Sequence, residues 1–318
     1  RFNLINVISN IGFIYCFVIC GGWGVLGVVL SNLLSSFLLF MITFYVVWEK
    51  ISISTISLKI FKNLFSFGSP FIFAGIFSMI IELSDRYIIK YLLGFDSLGI
   101  YNAGYKLGML MLLVVIGFNM AWQPFFLDKK NKNNKILITT ISNNVGVIFS
   151  LIACGIILFV EPLSEIQILN FQIIGPEFKE SLSVVSWVCL GYLFHGAYLL
   201  QLPGPYLTNN TVMIAVIRGV GAIINIILNF QLIPVWGIKG AAIATCLSFL
   251  IMAILMFIYN KIIYPINYNL HAVFCSIIIL LVVTFVAQEN PNIMVRLIAF
   301  ISMPCIMFLM GCFNQKDI

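Results

Sequence analysis

The chain has 318 residues, 62% of them hydrophobic, with only 17 basic and 11 acidic side chains. A soluble domain carries roughly 25% charge and 45–50% apolar residues, so this composition excludes a soluble enzyme, a nucleic-acid binder and a disordered tail. The net charge of +6 comes from lysines scattered between apolar runs, a pattern that sets orientation in a membrane and not nucleic-acid affinity.

Apolar runs bounded by Gly, Pro, Asn or charge predict ten helices, at 4–20, 24–48, 68–92, 98–127, 138–161, 180–203, 209–234, 237–260, 270–288 and 292–313. A helical span needs about 20 mostly apolar residues, so the expected fold class is all-α, a polytopic membrane protein. Membrane strands would alternate apolar and polar residues, and Ile277 to Ala287 does not. The longest connections, 49–67 and 162–179, are too short for a folded domain. The chain begins at Arg1, already inside an apolar segment and without a signal-peptide pattern, and reads as lacking its N-terminal part.

Positive charge fixes orientation. Lys50, Lys59 and Lys62 mark one loop, and Lys129, Lys130, Lys132 and Lys135 the next; Lys261 and Lys316 follow. Two spans separate the first two loops, so both are expected on the cytoplasmic side. Asp96, Glu161, Glu165, Glu177, Glu180 and Glu289, with Lys179, fall on the other side. The eight cysteines (Cys16, Cys20, Cys154, Cys189, Cys246, Cys275, Cys305, Cys312) lie in or beside apolar stretches, with no CxxC and no Cys/His cluster in sequence. They read as inert packing, and no disulfide, metal site or cofactor is expected.

Trp23-Gly24-Val25-Leu26-Gly27 opens the second predicted span, and Trp236-Gly237-Ile238-Lys239-Gly240 the eighth, 213 residues later. Parallel repeats of several helices are common in transporters, and glycines alone also let two helices pack closely. Read as a repeat, the pattern predicts four absent helices and about 14 in all, two six-helix halves plus a terminal pair. The expected divisions are 1–48 (last two helices of a first bundle), 49–67 (cytoplasmic linker), 68–260 (second six-helix bundle) and 261–318 (terminal pair).

An ordered series of motifs runs through this frame. Gly68-Ser69-Pro70 opens the third span and Asp85-Arg86 lies near its far end. Gly94, Gly99-Ile100-Tyr101-Asn102, Lys106 and Ala121-Trp122-Gln123-Pro124-Phe125 follow, then Asn225 to Asn229, Ile233-Pro234 and Gly237 to Thr245. The series resembles the polysaccharide (O-antigen, Wzx-type) flippases of the multidrug/oligosaccharidyl-lipid/polysaccharide exporter superfamily, most clearly over 68–260. The resemblance implies two helical bundles around a cavity open alternately to each side. It also implies export of an undecaprenyl-diphosphate-linked oligosaccharide across a bacterial inner membrane for O-antigen or capsule synthesis. A polysaccharide polymerase and a chain-length regulator are the implied partners, alongside the lipid bilayer, with no nucleic acid.

Ionisable residues inside spans cost a few kcal/mol each and face cavities or one another. Glu82, Arg86 and Lys90 share one helix face at i, i+4, i+8, with Asp85 beside it. Asp85 and Lys106 both lie about 12–14 Å below the outer end of their spans, so Asp85 or Glu82 is expected near Lys106. The cluster reads either as an ion-pair lock between helices or as a cationic lining for a pyrophosphate, with a carboxylate free to carry a coupling ion; Arg suits a diphosphate through its planar fork. Arg218, near mid-span, is a further cavity candidate. Lys90, Lys239 and Arg296 are expected to snorkel at outer span ends. His195 reads as a packing residue or a proton relay, His271 carries no assignment, and Asn225 and Asn229 read as hydrogen bonds between helices. Trp122 and Trp236 are expected at the interface as belt anchors, and Pro304 as a kink.

Two other readings stay open. A drug/cation antiporter of the same superfamily would show a net acidic cavity, and a peptidoglycan-precursor flippase would share the architecture. A polysaccharide polymerase would need a large outer loop with clustered Arg, His or Asp, which this chain lacks; nor is there a Ser-His-Asp, HExxH or Gly-rich phosphate loop.

Overall fold

A backbone in hydrocarbon must satisfy its own N–H and C=O groups, and a helix does so within one segment. The computed structural model is accordingly built from helices. It describes residues 2–48, 57–129, 131, 134–164, 167–168, 171–172, 175–265, 268–289 and 292–312. In chain order the helices are α1 (Phe2–Ile14), α2 (Gly24–Trp48), α3 (Leu58–Gly108), α4 (Leu110–Leu127), α5 (Lys135–Ser164), α6 (Leu182–Leu200), α7 (Pro203–Leu207), α8 (Val212–Ile263), α9 (Leu270–Glu289) and α10 (Ile293–Leu309). Between α5 and α6 stand two two-residue strands, β1 (Gln167–Ile168) and β2 (Phe171–Gln172), paired antiparallel. Among the described residues six helical segments are long and apolar enough to cross a membrane, so the chain is a multi-pass membrane protein. Lys50, Lys130, Lys132, Glu165 and Lys316, which entered the orientation argument, lie outside the described residues.

The chain divides into two units, Arg1–Phe65 and Ser66–Ile318. In the first, α1 continues through a π-helical turn, Tyr15–Cys20, and meets α2 at Trp23. Asn10 Nδ2 clasps α2 by donating to Asn32 Oδ1 at 2.8 Å and Ser35 Oγ at 3.1 Å. Asn and Ser side chains hydrogen-bond across membrane helices in this way.

In the second unit, two helices are far too long for one crossing. Helices α3 and α8 run 51 and 52 residues, and each is broken at a glycine: Gly94 (φ 89°) and Gly237 (φ 59°). Positive φ is open to Gly and strained for residues with a Cβ. The chain reverses at these points. In an unbroken helix residues 85 and 101 would stand about 24 Å apart, yet Tyr101 Oη lies 2.5 Å from Asp85 Oδ2. Likewise Asn225 Nδ2 reaches Thr245 Oγ1 at 3.2 Å across Gly237. The third and fourth predicted spans are thus the two limbs of one hairpin plus α4, and the seventh and eighth are the limbs of another.

One predicted boundary changes. Helix α3 begins at Leu58, not 68, and Pro70 lies inside it, buried, instead of opening a span. The helix extends upstream through Leu58-Lys59-Ile60-Phe61, and an interior proline is tolerated in a membrane helix where neighbouring groups satisfy the freed carbonyl. Pro234 and Pro304 also lie within helices.

The two Trp-Gly-x-x-Gly sequences do fold alike. The first glycine of each has positive φ, 52° at Gly24 and 59° at Gly237. The second is where the two helices meet: a Cβ on Gly27 would lie 3.2 Å from the Phe17 carbonyl, and one on Gly240 2.3 Å from the Leu232 carbonyl.

Glycines also set the packing around α6. A Cβ on Gly104, in the second limb of α3, would fall 2.1 Å from the Ser181 carbonyl oxygen and 2.6 Å from Val184 Cγ2; one on Gly108 would meet Val188 at 2.6 Å. Gly191 of α6 faces Cys246 of α8, and Gly196 faces Phe149 of α5. Helices α9 and α10 pack on α5 and on each other. The Gly104→Ala variant is expected to lose about 1–3 kcal/mol, the range for overpacking, because a backbone carbonyl cannot swing aside. A thermal melt in detergent at an unchanged midpoint would show that this approach is looser than described.

Candidate functional site: an arginine and tyrosine network

The hairpin at Gly94 brings the third-span charges against Tyr101, Asn102 and Tyr105. Asp85 is fully buried. It accepts from Tyr101 Oη at 2.5 Å and from the Arg86 backbone N–H at 2.6 Å, and its Oδ1 lies 3.4 Å from Arg86 Nη1. Arg86 also donates from Nε to Asn102 Oδ1 at 3.1 Å and from Nη1 to the Glu82 carbonyl. Its guanidinium lies 4.4 Å from the centre of the Tyr105 ring, a cation–π distance. The guanidinium is therefore aimed by four groups, with 26% of the side chain still exposed.

The network continues into α6 and α8. Tyr105 Oη and Tyr192 Oη are 2.7 Å apart. His195 stacks on Phe249 at 4.8 Å, flanked by Tyr192 and Tyr198. Tyr198 Oη accepts from Arg218 Nε at 3.2 Å, and Arg218 Nη1 donates to Ser78 Oγ at 3.0 Å and to the Ala74 carbonyl at 3.4 Å. Arg218, half-buried, thus ties α8 back to the first limb of α3. Glu82 lies one turn before Arg86 and one turn after Ser78, within electrostatic reach of both Arg86 and Arg218. An open circuit of aromatic and polar contacts runs from Asp85 through Tyr101, Tyr105, Tyr192, His195 and Tyr198 to Arg218, and both guanidiniums act electrostatically on Glu82.

Below this circuit, Asn225 is fully buried and joins three segments: its Oδ1 accepts from Ser84 Oγ at 2.7 Å and Asn229 Nδ2 at 3.0 Å, while its Nδ2 donates to Thr245. Asn225 thus bonds between helices as expected, whereas Asn229 bonds to Asn225 one turn away on the same limb.

Several expectations do not. Lys106 is exposed and does not meet Asp85 or Glu82. Tyr101 and Tyr105, i and i+4, take the inward face, and Lys106 is turned about 100° from Tyr105 around the helix. Arg296 does not snorkel: it is buried, donates to the Leu158 and Ala287 carbonyls at 3.0 and 2.7 Å, and pairs with Glu161 at 2.6 Å. Trp122 is not a belt residue but is buried, stacked between Phe118 and Phe125 and edge-on to Phe126, with α7 packed on α4. Trp236, by contrast, is exposed, as are Lys90 and Lys239. Gly68 meets nothing within 4 Å. Of the five predicted pathway residues, Glu82, Asp85, Arg86 and Arg218 come together and Lys106 does not. Tyr101, Tyr105, Tyr192, Tyr198 and Ser78 join them unpredicted; the i, i+4 spacing of Tyr101 and Tyr105 was the available signal. His271, Cys275 and Cys312, which no sequence spacing groups together, converge in space because α10 returns the chain to the start of α9.

No curated protein and no solved structure matches the chain. The motifs from Gly68 to Pro124 lie inside the stretch that a family model covers, whereas those from Asn225 to Thr245 lie beyond it. Over residues 2–130 the chain matches the family described as polysaccharide biosynthesis protein, the family of the flippases that its motif series resembles.

Proposed function

We propose that the chain is part of a transporter, not an enzyme, that flips an undecaprenyl-diphosphate-linked oligosaccharide from the cytoplasmic to the outer leaflet of a bacterial inner membrane by alternating access. The observation that carries the reading is the pair Arg86 and Arg218, both partly open to approach at span depth and both pre-oriented by hydrogen bonds. Asp85 is already saturated by Tyr101, the Arg86 amide and the Arg86 side chain. Two guanidiniums thus stand with two carboxylates, but Asp85 is buried and already bonded whereas both guanidiniums are partly exposed, so the groups open to a headgroup are cationic, which favours an anion over the cation of a drug antiporter. A diphosphate offers oxygens to both forks. Glu82 is the carboxylate placed to exchange a coupling proton or sodium ion for the substrate, since it loses its two cationic neighbours to the phosphates when the headgroup binds.

The test uses the complete gene in its host. Deleting it should leave finished lipid-linked units on the cytoplasmic face, resolved by an impermeant reagent that attacks only outward-facing sugar, and wild type should restore their export. Units that reach the outer face but remain unpolymerised would identify a polymerase or accessory protein and overturn the reading.

A further inference from the structure

The end of α10 has a feature that transport does not use. Gly311 (φ 68°) closes the helix: its N–H reaches the Phe308 carbonyl at 3.0 Å, and the Cys312 N–H reaches the Met307 carbonyl at 2.9 Å. This is the paired bonding of a Schellman cap, and it fixes Cys312, buried, against the start of α9. There His271 and Cys275, i and i+4, share a helix face. Cys275 Sγ lies 3.7 Å from His271 Nε2 and 3.8 Å from Nδ1, and one ligand atom from each of the three residues falls within 4.8 Å of the others.

We propose that His271, Cys275 and Cys312 form a site for a thiophilic metal ion of the Zn2+ class, clipping α9 to the end of α10. With Zn–S of about 2.3 Å and Zn–N of about 2.0–2.1 Å, a tetrahedral ion needs ligand atoms roughly 3.6–3.8 Å apart. The Cys275–His271 separation already meets that requirement, and the Cys312 thiol has at most about an ångström to travel. The donor set, two thiols and an imidazole, matches this metal class and suits neither Mg2+ nor Ca2+. Both sulfurs are buried while His271 is exposed, so an ion has an entry side and a fourth position facing outward. Binding displaces both thiol protons, so affinity rises with pH.

The test is a Co2+ titration of the purified, reduced, metal-free chain in detergent. The expected result is one equivalent bound with a thiolate-to-cobalt charge-transfer band, displaced by Zn2+, and a higher melting temperature with metal than without. Cys275→Ser and Cys312→Ser should each abolish the band and weaken binding at least tenfold, whereas Cys305→Ser, on an exposed position of α10, should keep both. Should a serine variant fail to fold, His271→Ala, at an exposed position, carries the test through a tenfold loss of affinity with an unchanged metal-free melt. No band in wild-type protein with all thiols free, a band that survives both serine variants, or a Cys275–Cys312 disulfide in protein isolated without oxidant would overturn the assignment.

Discussion

Arg296→Ala is expected to destabilise the chain by about 3–5 kcal/mol, the range for emptying the site of a large buried side chain, with stranded buried carbonyls adding to it. Arg296 is 1% exposed, and its guanidinium is shared among the Leu158 carbonyl, the Ala287 carbonyl and the Glu161 carboxylate. It thus joins α10 to α5 and to the last turn of α9. Alanine removes three bonds at once, leaves a cavity the size of an arginine side chain, and strands two carbonyls. Arg296→Met fills most of that volume without a charge and should cost markedly less. Glu161→Ala should fall between them, because half of Glu161 is solvated while Arg296 keeps both carbonyls. The order Ala, then Glu161→Ala, then Met, read from thermal melts in detergent, checks the assignment. If Met proved as damaging as Ala, packing would not matter and the charge itself would carry the stability.

Arg86→Ala is expected to reduce export of the lipid-linked oligosaccharide by about a hundredfold or more. Truncating one partner of a buried, hydrogen-bonded charge pair costs about 2–5 kcal/mol, and each 1.4 kcal/mol is tenfold. Arg86→Lys retains the charge but loses the fork and the Nε bond to Asn102, so it should recover only part of the rate. Lys106→Ala, on the exposed face of the same hairpin, should export near the wild-type rate. The measurement is the side-resolved accumulation of lipid-linked units, with each variant brought to equal membrane abundance by immunoblot. A Lys106→Ala defect as deep as that of Arg86→Ala would mean that the inward face has been assigned to the wrong side of the helix.

These expectations also mark where sequence reading stops. Apolar run length places helices well, since the bilayer sets one length for all of them: α2 spans 24–48 as read from the runs alone. The reversals at Gly94 and Gly237 were visible as Gly-containing breaks, and the shared geometry of the two Trp-Gly turns followed from their shared residues. Rotation about the helix axis was less legible. In a chain that is apolar on all sides, no amphipathic stripe marks the inward face. Lys106 and Arg296 were misplaced for that reason: one residue of rotation decides between lipid and core. Trp122 was misread because its depth was taken for exposure, when α7 and the aromatic cluster of Phe118, Phe125 and Phe126 cover it. The His271–Cys275–Cys312 cluster was invisible because Cys312 lies a whole helix away from its neighbours in sequence.

The reversals at Gly94 and Gly237 have a mechanical corollary. A turn made within a single residue contains no slack, and in each hairpin the limbs are stitched about two to three helical turns from the bend, by Asp85 and Tyr101 in one and by Asn225 and Thr245 in the other. Such a hairpin is a spring clip: closed at its bend, free to splay only at its tips. At the opposite ends of these limbs the described residues outside helices include 128–129, 208–210 and 264–265. A reporter fused at the exposed residues 208–210 would disturb the fold little, whereas a single residue inserted beside Gly94 or Gly237 would unseat a clip.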